Sequence, residues 1–547
     1  MPTSLKTIID NARFLVTEVQ DQVKLTCGLL NDCNPDLLEK IASKDDYADN
    51  LKSTVENLCF FRIHGGSDVD TKEINDIRSL HIICVNLERI ADYCVNIARQ
   101  THYLSEIAFI HDYDYQPMFT EIQTALSRIS SVFAARDLSG ALDICKTEFT
   151  LDGLYKAAFD RIMDEMRESG RIEDRITVLF IFRYLERIGD AILNVGEALL
   201  FAIIGDRIKI RHFEALQRTL SESGFDGSLS DIDFNAIWGS RSGCRIGRVD
   251  DKRSSNIKAQ GIFKEGAKKK IKQERENIKR WDEIFPGLAP RVFGYYEKHD
   301  TASLLVEFLT GCTLDQVVLT ETPEILHNVV FIFEQTLSDI WETTRQRASI
   351  RTDYMGQLRS RMAAIRRVHP HFHRPHRQID GLAIAGTDEL IGTCAEVEKT
   401  LTAPWAIFIH GDFNVNNIVY DHAAQQIHYI DLYRSRDADY VQDASVFLTS
   451  NFRLPIFEPQ IRDRIDEVTA HFWDRFRSFA HRHDDTTFEA RMALAMARSF
   501  YTSTRFELNY RFARDMFLRA HFLLERLADH REAPPEAFRF PAEILFY

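Results

Sequence analysis

The sequence predicts a multidomain chain: an all-α tandem of three-helix bundles, then an α+β part joining a small β-rich lobe to a large helical one. Two observations carry that division. An acidic motif recurs at a fixed interval within apolar, helix-period stretches of the first 215 residues. Near residue 410, a polar loop holding a carboxylate and amides separates two short apolar runs. At 547 residues the chain is too long for a single core.

In the first part, helical periodicity predicts helices at about 5–30, 35–62, 115–137 and 140–168, with breaks at Gly65-Gly66 and Glu168-Ser169-Gly170. A further stretch, Val178 to Gly205, is the most apolar of the chain. It is interrupted by Arg183, Glu186, Arg187, Asp190 and Glu197, charges a bilayer would not accept, so it reads as a buried helix and not a membrane span. Leu87-Glu88-Arg89-Ile90-Ala91-Asp92 recurs as Leu185-Glu186-Arg187-Ile188-Gly189-Asp190, 98 residues on, and Asn96 and Asn194 complete the copies. Glu, Asp and Asn at steps of four lie along one helical face, so each copy presents an oxygen-rich stripe. Each bundle carries its own apolar face.

The tandem E-R-I-x-D-x-x-x-N pattern resembles the PhoU family of phosphate-uptake regulators over roughly residues 1–215. The resemblance implies metal binding at the acidic stripes through Glu88, Asp92, Glu186 and Asp190, with Asn96 and Asn194 beside them and Asp49 or Asp152 joining from a neighbouring helix. Carboxylates and amides are hard donors suited to divalent metals or iron. The competing reading makes the same residues solvated salt bridges with Arg89 and Arg187.

From Arg218 to Asp233 the composition shifts to Ser, Gly and Asp without a sustained period, which places a boundary near 224 and gives domains of 1–222 and 223–547. Two strand-like segments then flank Gly239-Ser240-Arg241-Ser242-Gly243-Cys244-Arg245-Ile246-Gly247, a hairpin whose glycines would let the backbone approach phosphates. Gly261-Ile262-Phe263-Lys264 reads as the next strand. A charged helix follows from about Ala267 to Ile284, with Ile271, Ile278, Trp281 and Ile284 on its buried face. Glu274 lies next to that stripe, Glu276 points away, and Lys268-Lys269-Lys270 is a solvated face. Pro290–Tyr296 and Ser303–Leu309 read as two strands, the second ending at Thr310-Gly311.

Trp405–Ile409 and Ile418–Tyr420 are the apolar runs around His410-Gly411-Asp412-Phe413-Asn414-Val415-Asn416-Asn417, and Ile430-Asp431 follows. Phosphoryl transfer needs one carboxylate to orient a hydroxyl, and an amide plus a second carboxylate to hold Mg²⁺ against nucleotide phosphates. The string H-G-D-x-x-x-x-N, then I-D, resembles the aminoglycoside phosphotransferase and choline kinase-like family. Ala438-Asp439-Tyr440-Val441-Gln442-Asp443-Ala444-Ser445 stands where that family has Gly-Asp-Pro-x-x-Asp-Leu-Ala.

This resemblance implies a protein-kinase-like fold with a small lobe at about 230–309 and a large lobe at about 310–547. It also implies ATP and Mg²⁺. Asp412 would be the catalytic carboxylate and His410 the brace of its loop. Asn417 and Asp431 would hold the metal, and Lys264, anchored by Glu274, would pair the phosphates. Gly239 and Gly243 would lie against them. The backbone near Glu307 and Leu309 would receive the adenine edge, and Asp443 and Asp439 would bond main-chain groups behind the loop.

The stretch from Pro459 to His530 is helical by period and would line the acceptor pocket. With 15 arginines against 15 acidic residues from 451 to 547, it carries no acidic excess for a polycation, and a neutral or anionic acceptor suits it as well. His369, His371, His373 and His376, broken by Pro370 and Pro375, read as a surface loop.

A formal charge of −14 argues against general nucleic-acid binding. Nine cysteines without a CxxC pair fit reduced thiols in a cytoplasmic protein, and the amino terminus lacks a signal-peptide pattern. The expected partners are a small-molecule hydroxyl acceptor and, through the helical part, a second copy or a signalling protein. The competing function is a nucleotide-binding adaptor without turnover.

Overall fold

Apolar residues at helical spacing build six long helices in the first part. These are α1 (Leu5–Asp32), α2 (Asp36–Gly65), α3 (Thr71–Gln100), α4 (Gln116–Ala135), α5 (Leu138–Glu168) and α6 (Ile172–Ile204). The computed structural model describes the chain apart from residues 1–3, 33, 35, 66–68, 169, 206–209, 224–231, 237–244 and 252–259. It divides into two units, Met1–Glu265 and Gly266–Tyr547.

In the first unit, α1–α3 and α4–α6 form two three-helix bundles, and α3 also packs along α6 while α1 meets α4. The apolar faces expected to serve each bundle separately merge into one core, running from Ile8 to Leu200. The fully buried Gln22 ties three helices together, because its amide donates to the carbonyls of Ile41 at 3.0 Å and Ala91 at 3.2 Å. Local chemistry sets the helix ends: Asp70 caps α3 by accepting the Glu73 amide at 2.7 Å, and Arg136 ends α4 in the left-handed region. Gly196 lets α5 and α6 approach, since a Cβ there would stand 2.4 Å from Cys145 Sγ.

A seventh helix, α7 (Ile210–Glu222), precedes three antiparallel strands, β1 (Ile232–Ala236), β2 (Arg245–Asp251) and β3 (Gln260–Ala267). The division between the units falls inside β3, later in the chain than residue 222.

The second unit opens with α8 (Lys268–Ile284) and the antiparallel pair β4 (Val292–Lys298) and β5 (Thr301–Glu307). Next come β6 (Cys312–Thr313), α9 (Leu314–Thr320), α10 (Pro323–Thr344), β7 (Gln346–Ile350) and α11 (Tyr354–Val368). A hairpin of β8 (Arg377–Ile379) and β9 (Leu382–Ile384) leads to α12 (Thr387–Thr400). The strands β10 (Ala403–Ile409), β11 (Ile418–Asp421), β12 (Gln426–Tyr429) and β13 (Arg436–Ala438) follow. They form two small sheets, ordered β13-β10-β7 and β12-β11-β6. Four helices close the chain: α13 (Val441–Phe452), α14 (Pro459–Arg482), α15 (Phe488–Ser503) and α16 (Tyr510–Asp529). Phe333, Phe413, Phe447 and Phe472 interlock beneath the polar loop, with Phe333 and Phe472 rings 4.9 Å apart. Among the described residues no helix is long and apolar enough to cross a membrane.

Candidate functional site: a carboxylate loop between two strands

The polar loop is the connection from β10 to β11, and its main chain is fixed from behind. Asp443, at the start of α13, accepts the amide of His410 at 2.7 Å and that of Gly411 at 2.8 Å. Burial pushes the Asp443 carboxyl up to about 7, against the two amides that favour its charged form. Gly411 has φ +83, and a Cβ on it would lie 2.3 Å from the Arg434 carbonyl oxygen, so only glycine fits. The His410 ring is buried. The Ile430 carbonyl can only accept, so Nε2 carries the proton at 2.9 Å, while Nδ1 accepts the Asp412 amide at 3.3 Å. Burial lowers the His410 pKa, in keeping with a neutral ring that ties the loop to the residue before Asp431.

At the loop's centre the Asp412 carboxylate is held by two groups. Asn414 Nδ2 donates to Oδ1 at 2.9 Å, and Arg434 Nη1 pairs with Oδ2 at 3.2 Å. The buried Asn417 gives its amide nitrogen to the Asp412 carbonyl at 2.8 Å, which leaves its side-chain oxygen as the atom able to serve a cation. Asp431 adopts the left-handed conformation, φ 64, at the turn after β12. The turn after Asp431 is anchored to α8. Asn277 Nδ2 donates to the carbonyls of Leu432 at 2.7 Å and Ser435 at 3.1 Å, and Trp281 Nε1 to Ser435 Oγ at 2.9 Å. An amide oxygen and a carboxylate of this kind form a hard donor set that fits Mg²⁺.

Glu274, on the same helix, is buried with Ile271, Ile278 and Trp281, as the stripe predicts, while Glu276 is exposed. Lys264 is buried on β3, opposite Ile246 of β2. Lys264 and Glu274 lie on either side of the division between the units. Glu307 closes β5, where its amide donates to the Arg291 carbonyl at 2.8 Å, and Leu309 follows half-buried. Gly239 and Gly243 lie outside the described residues.

In the helical unit each acidic stripe faces the helix before it. Glu88 pairs with Lys52 of α2 at 3.3 Å, and Lys52 with Asp49 at 3.0 Å. Glu186 pairs with Arg183 at 2.6 Å and Asp190 with Arg187 at 3.3 Å. Asp45, one turn before Asp49, is pushed up to about 6 by partial burial and by Asp92 and Glu88. In the second copy, burial and then Asp152 and Asp190 raise Glu148. Asn194 donates to Asn86 Oδ1 of α3 at 3.1 Å. Among the described residues the one group of three His, Cys, Asp or Glu side chains with ligand atoms within 4.8 Å is Cys312, Glu321 and His422, outside both stripes.

Several partners escape a reading of the motif alone. Arg434 stands three residues past Asp431 and reaches back to Asp412. Asp439 accepts the main-chain amide of Val441 at 3.1 Å, and it also meets Arg491 and accepts Tyr354 OH at 3.1 Å; Asp485 is the second carboxylate on Arg491. No spacing signal marks Arg491 or Asp485, because the contact is tertiary. Asp45 and Glu148 could have been found, since each precedes a named aspartate by one helical turn. The histidine loop is only partly on the surface. His369 is buried against Phe372, ring centroids 4.6 Å apart, and bonds the Glu507 carbonyl at 2.7 Å, whereas His373 and His376 pair with Asp388 and Glu389.

These features define a helical-bundle protein joined to a mixed α and β domain with a carboxylate-and-amide loop. The chain belongs to the PhoU family through residues 15–101 and 116–199, which match the PhoU domain, and carries a domain of the phosphotransferase enzyme family over residues 267–479. It is 33% identical over 180 residues to a phosphate-specific transport system accessory protein PhoU homolog of Zymomonas mobilis, covering 32% of this chain and 76% of the relative. A PhoU homolog 1 of Thermotoga maritima is 27% identical over 233 residues, 42% of this chain and 95% of its own. Among solved structures, aminoglycoside-3'-phosphotransferase of type VIII aligns at 18% identity and a TM-score of 0.31, over 48% of this chain and 92% of its own.

Proposed function

We propose that the second part of the chain, residues 223–547, transfers a phosphoryl group from ATP to a hydroxyl of a small molecule, and that the PhoU part regulates it. The carrying observation is the loop after β10, where Asp412 and Asn417 share one hydrogen-bonded turn that His410 links to the segment entering Asp431. Asp412 orients the acceptor hydroxyl and takes its proton. The Arg434 contact holds that carboxylate in place. Asn417 and Asp431 would hold Mg²⁺, which supplies charge neutralisation for the phosphates. The main chain near Glu307 and Leu309 receives the adenine edge.

In the helical part, Glu88, Asp92, Glu186 and Asp190, with Asp45 and Glu148, would take up a divalent cation or iron and pass that status to the transferase. A ligand there acts by shifting a population, so it must change the affinity or rate of the second site. The seven described cysteines are all free thiols, which supports a cytoplasmic setting.

Nucleotide binding and chemistry should separate by residue. Asp412→Ala should keep Mg-ATP affinity and lose on the order of 10²–10⁴ in turnover. Asp431→Ala should weaken Mg-ATP binding itself. ATP consumption against a panel of hydroxyl metabolites, with titration of Mg-ATP, measures both; normal turnover in the two variants would refute the assignment.

A further inference from the structure

Arginines from several elements of the second unit act electrostatically on the Asp412 carboxylate. Arg434 pairs with Asp412 directly, at 3.2 Å. Arg498 projects from α15 with its guanidinium 5.3 Å from the Tyr354 ring centroid, and its Nε and Nη2 are buried without a hydrogen-bond partner. Arg505 follows in the turn Thr504–Phe506, lies 4.2 Å from the Phe506 ring centroid, and has a buried Nη1 that likewise lacks a partner. Burial and the neighbouring cations Arg361, Arg434 and Arg453 pull Arg505 down to about 10, with Asp412 opposing them. Burial, and Arg434 beside it, also lower Arg498, against Asp412 and Asp443.

Unpaired guanidinium N–H groups taken out of water are costly, and like charges brought together add to the cost. Tolerance of that arrangement beside the reacting carboxylate points to an anion that completes it. Guanidinium forks match the planar oxygens of carboxylate and the oxygens of phosphate, and desolvation strengthens the pairing. The arrangement disfavours a polyamine acceptor, which would meet the cationic Arg434, Arg498 and Arg505.

We propose that the phosphoryl acceptor is itself an anion, a hydroxyl compound bearing a phosphate or carboxylate that Arg498 and Arg505 bind beside Asp412. This rests on the reading of Asp412 as the carboxylate that engages the acceptor. The anionic group stays intact; the acceptor oxygen gains the phosphoryl group, its proton passes to Asp412, and ADP leaves.

The test uses the full chain with three matched probes, glycerol, glycerol 3-phosphate and glycerate, together with inorganic phosphate. Calorimetric titration of phosphate in the presence of saturating Mg-ADP should show binding that falls about 10- to 100-fold in Arg505→Gln and in Arg498→Gln. Arg505→Lys should recover part of it, and circular dichroism checks that the variants remain folded. Turnover should favour glycerol 3-phosphate or glycerate over glycerol, and the glutamine variants should raise KM for the anion while leaving KM for ATP in place. The better of the two anions identifies the group. Preference for the neutral polyol, phosphate binding unchanged in both variants, or a loss confined to ATP affinity would each overturn the proposal. Full turnover in Asp412→Ala would instead sink the catalytic reading, even if phosphate binding still depended on Arg505, so the two failures are distinguishable.

Discussion

Asp443 and His410 are 33 residues apart in sequence, yet the Asp443 carboxylate accepts the His410 main-chain amide at 2.7 Å. Its second oxygen accepts the next amide, that of Gly411, at 2.8 Å. The peptide leading into Asp412 is thus set by one buried carboxylate, before any substrate arrives.

Asp443→Asn should loosen that peptide. An amide offers a single oxygen, so one main-chain donor would face the new NH₂ group, at a cost of about 1–3 kcal/mol. The folded carboxyl sits at about 7, above its ordinary 3.8, so the native state binds more protons across that window and stability falls as pH rises from about 4 to 7. The variant should melt lower at pH 7 and lose that slope. Melting curves across the range check it, and a wild-type profile in the variant would refute the role.

Arg491 is fully buried and bonded to both Asp439 and Asp485. Arg491→Met would strand two buried carboxylates, and breaking such a pair costs about 3–5 kcal/mol. Urea unfolding of the single variant should show that loss, and adding Asp439→Asn with Asp485→Asn should restore part of it. A single variant as stable as the parent would mean the charges are not compensating one another.

Asp45 is raised to about 6 by partial burial and by Asp92 and Glu88, so its deprotonation opposes folding as pH rises from about 4 to 6. Asp45→Asn should remove that effect and stabilise the protein at pH 7 by about 1 kcal/mol or less, after allowing for solvent screening. Added Mn²⁺ or Mg²⁺ should stabilise the parent more than the variant. Equal response to metal in both would leave the stripe as a set of salt bridges.

Residues 1–222 should fold alone as a helical protein, whereas residues 1–113 should not hold their full helicity, because α3 gives one face to α6. Circular dichroism of the two fragments decides this. A disordered spectrum for 1–222 would misplace the boundary, and full helicity for 1–113 would show that the bundles are independent.

The sequence by itself determined the order of the six long helices, the repeat that pairs Glu88 with Glu186, and the strand–loop–strand carrying Asp412 and Asn417. Each depends on local periodicity or short spacing, which the backbone obeys wherever the element lands. Tertiary structure decided the rest. It merged two apolar faces into one core, set Lys52 among the carboxylates of the first stripe, and buried Arg491 between two aspartates. It also brought Arg434, Arg498 and Arg505 toward Asp412 from separate elements. Apart from Arg491 and Asp485, which are six positions apart, such contacts join residues tens to more than a hundred positions apart. Nothing in the local pattern of an arginine on a helix reveals which carboxylate it will face once the chain is packed.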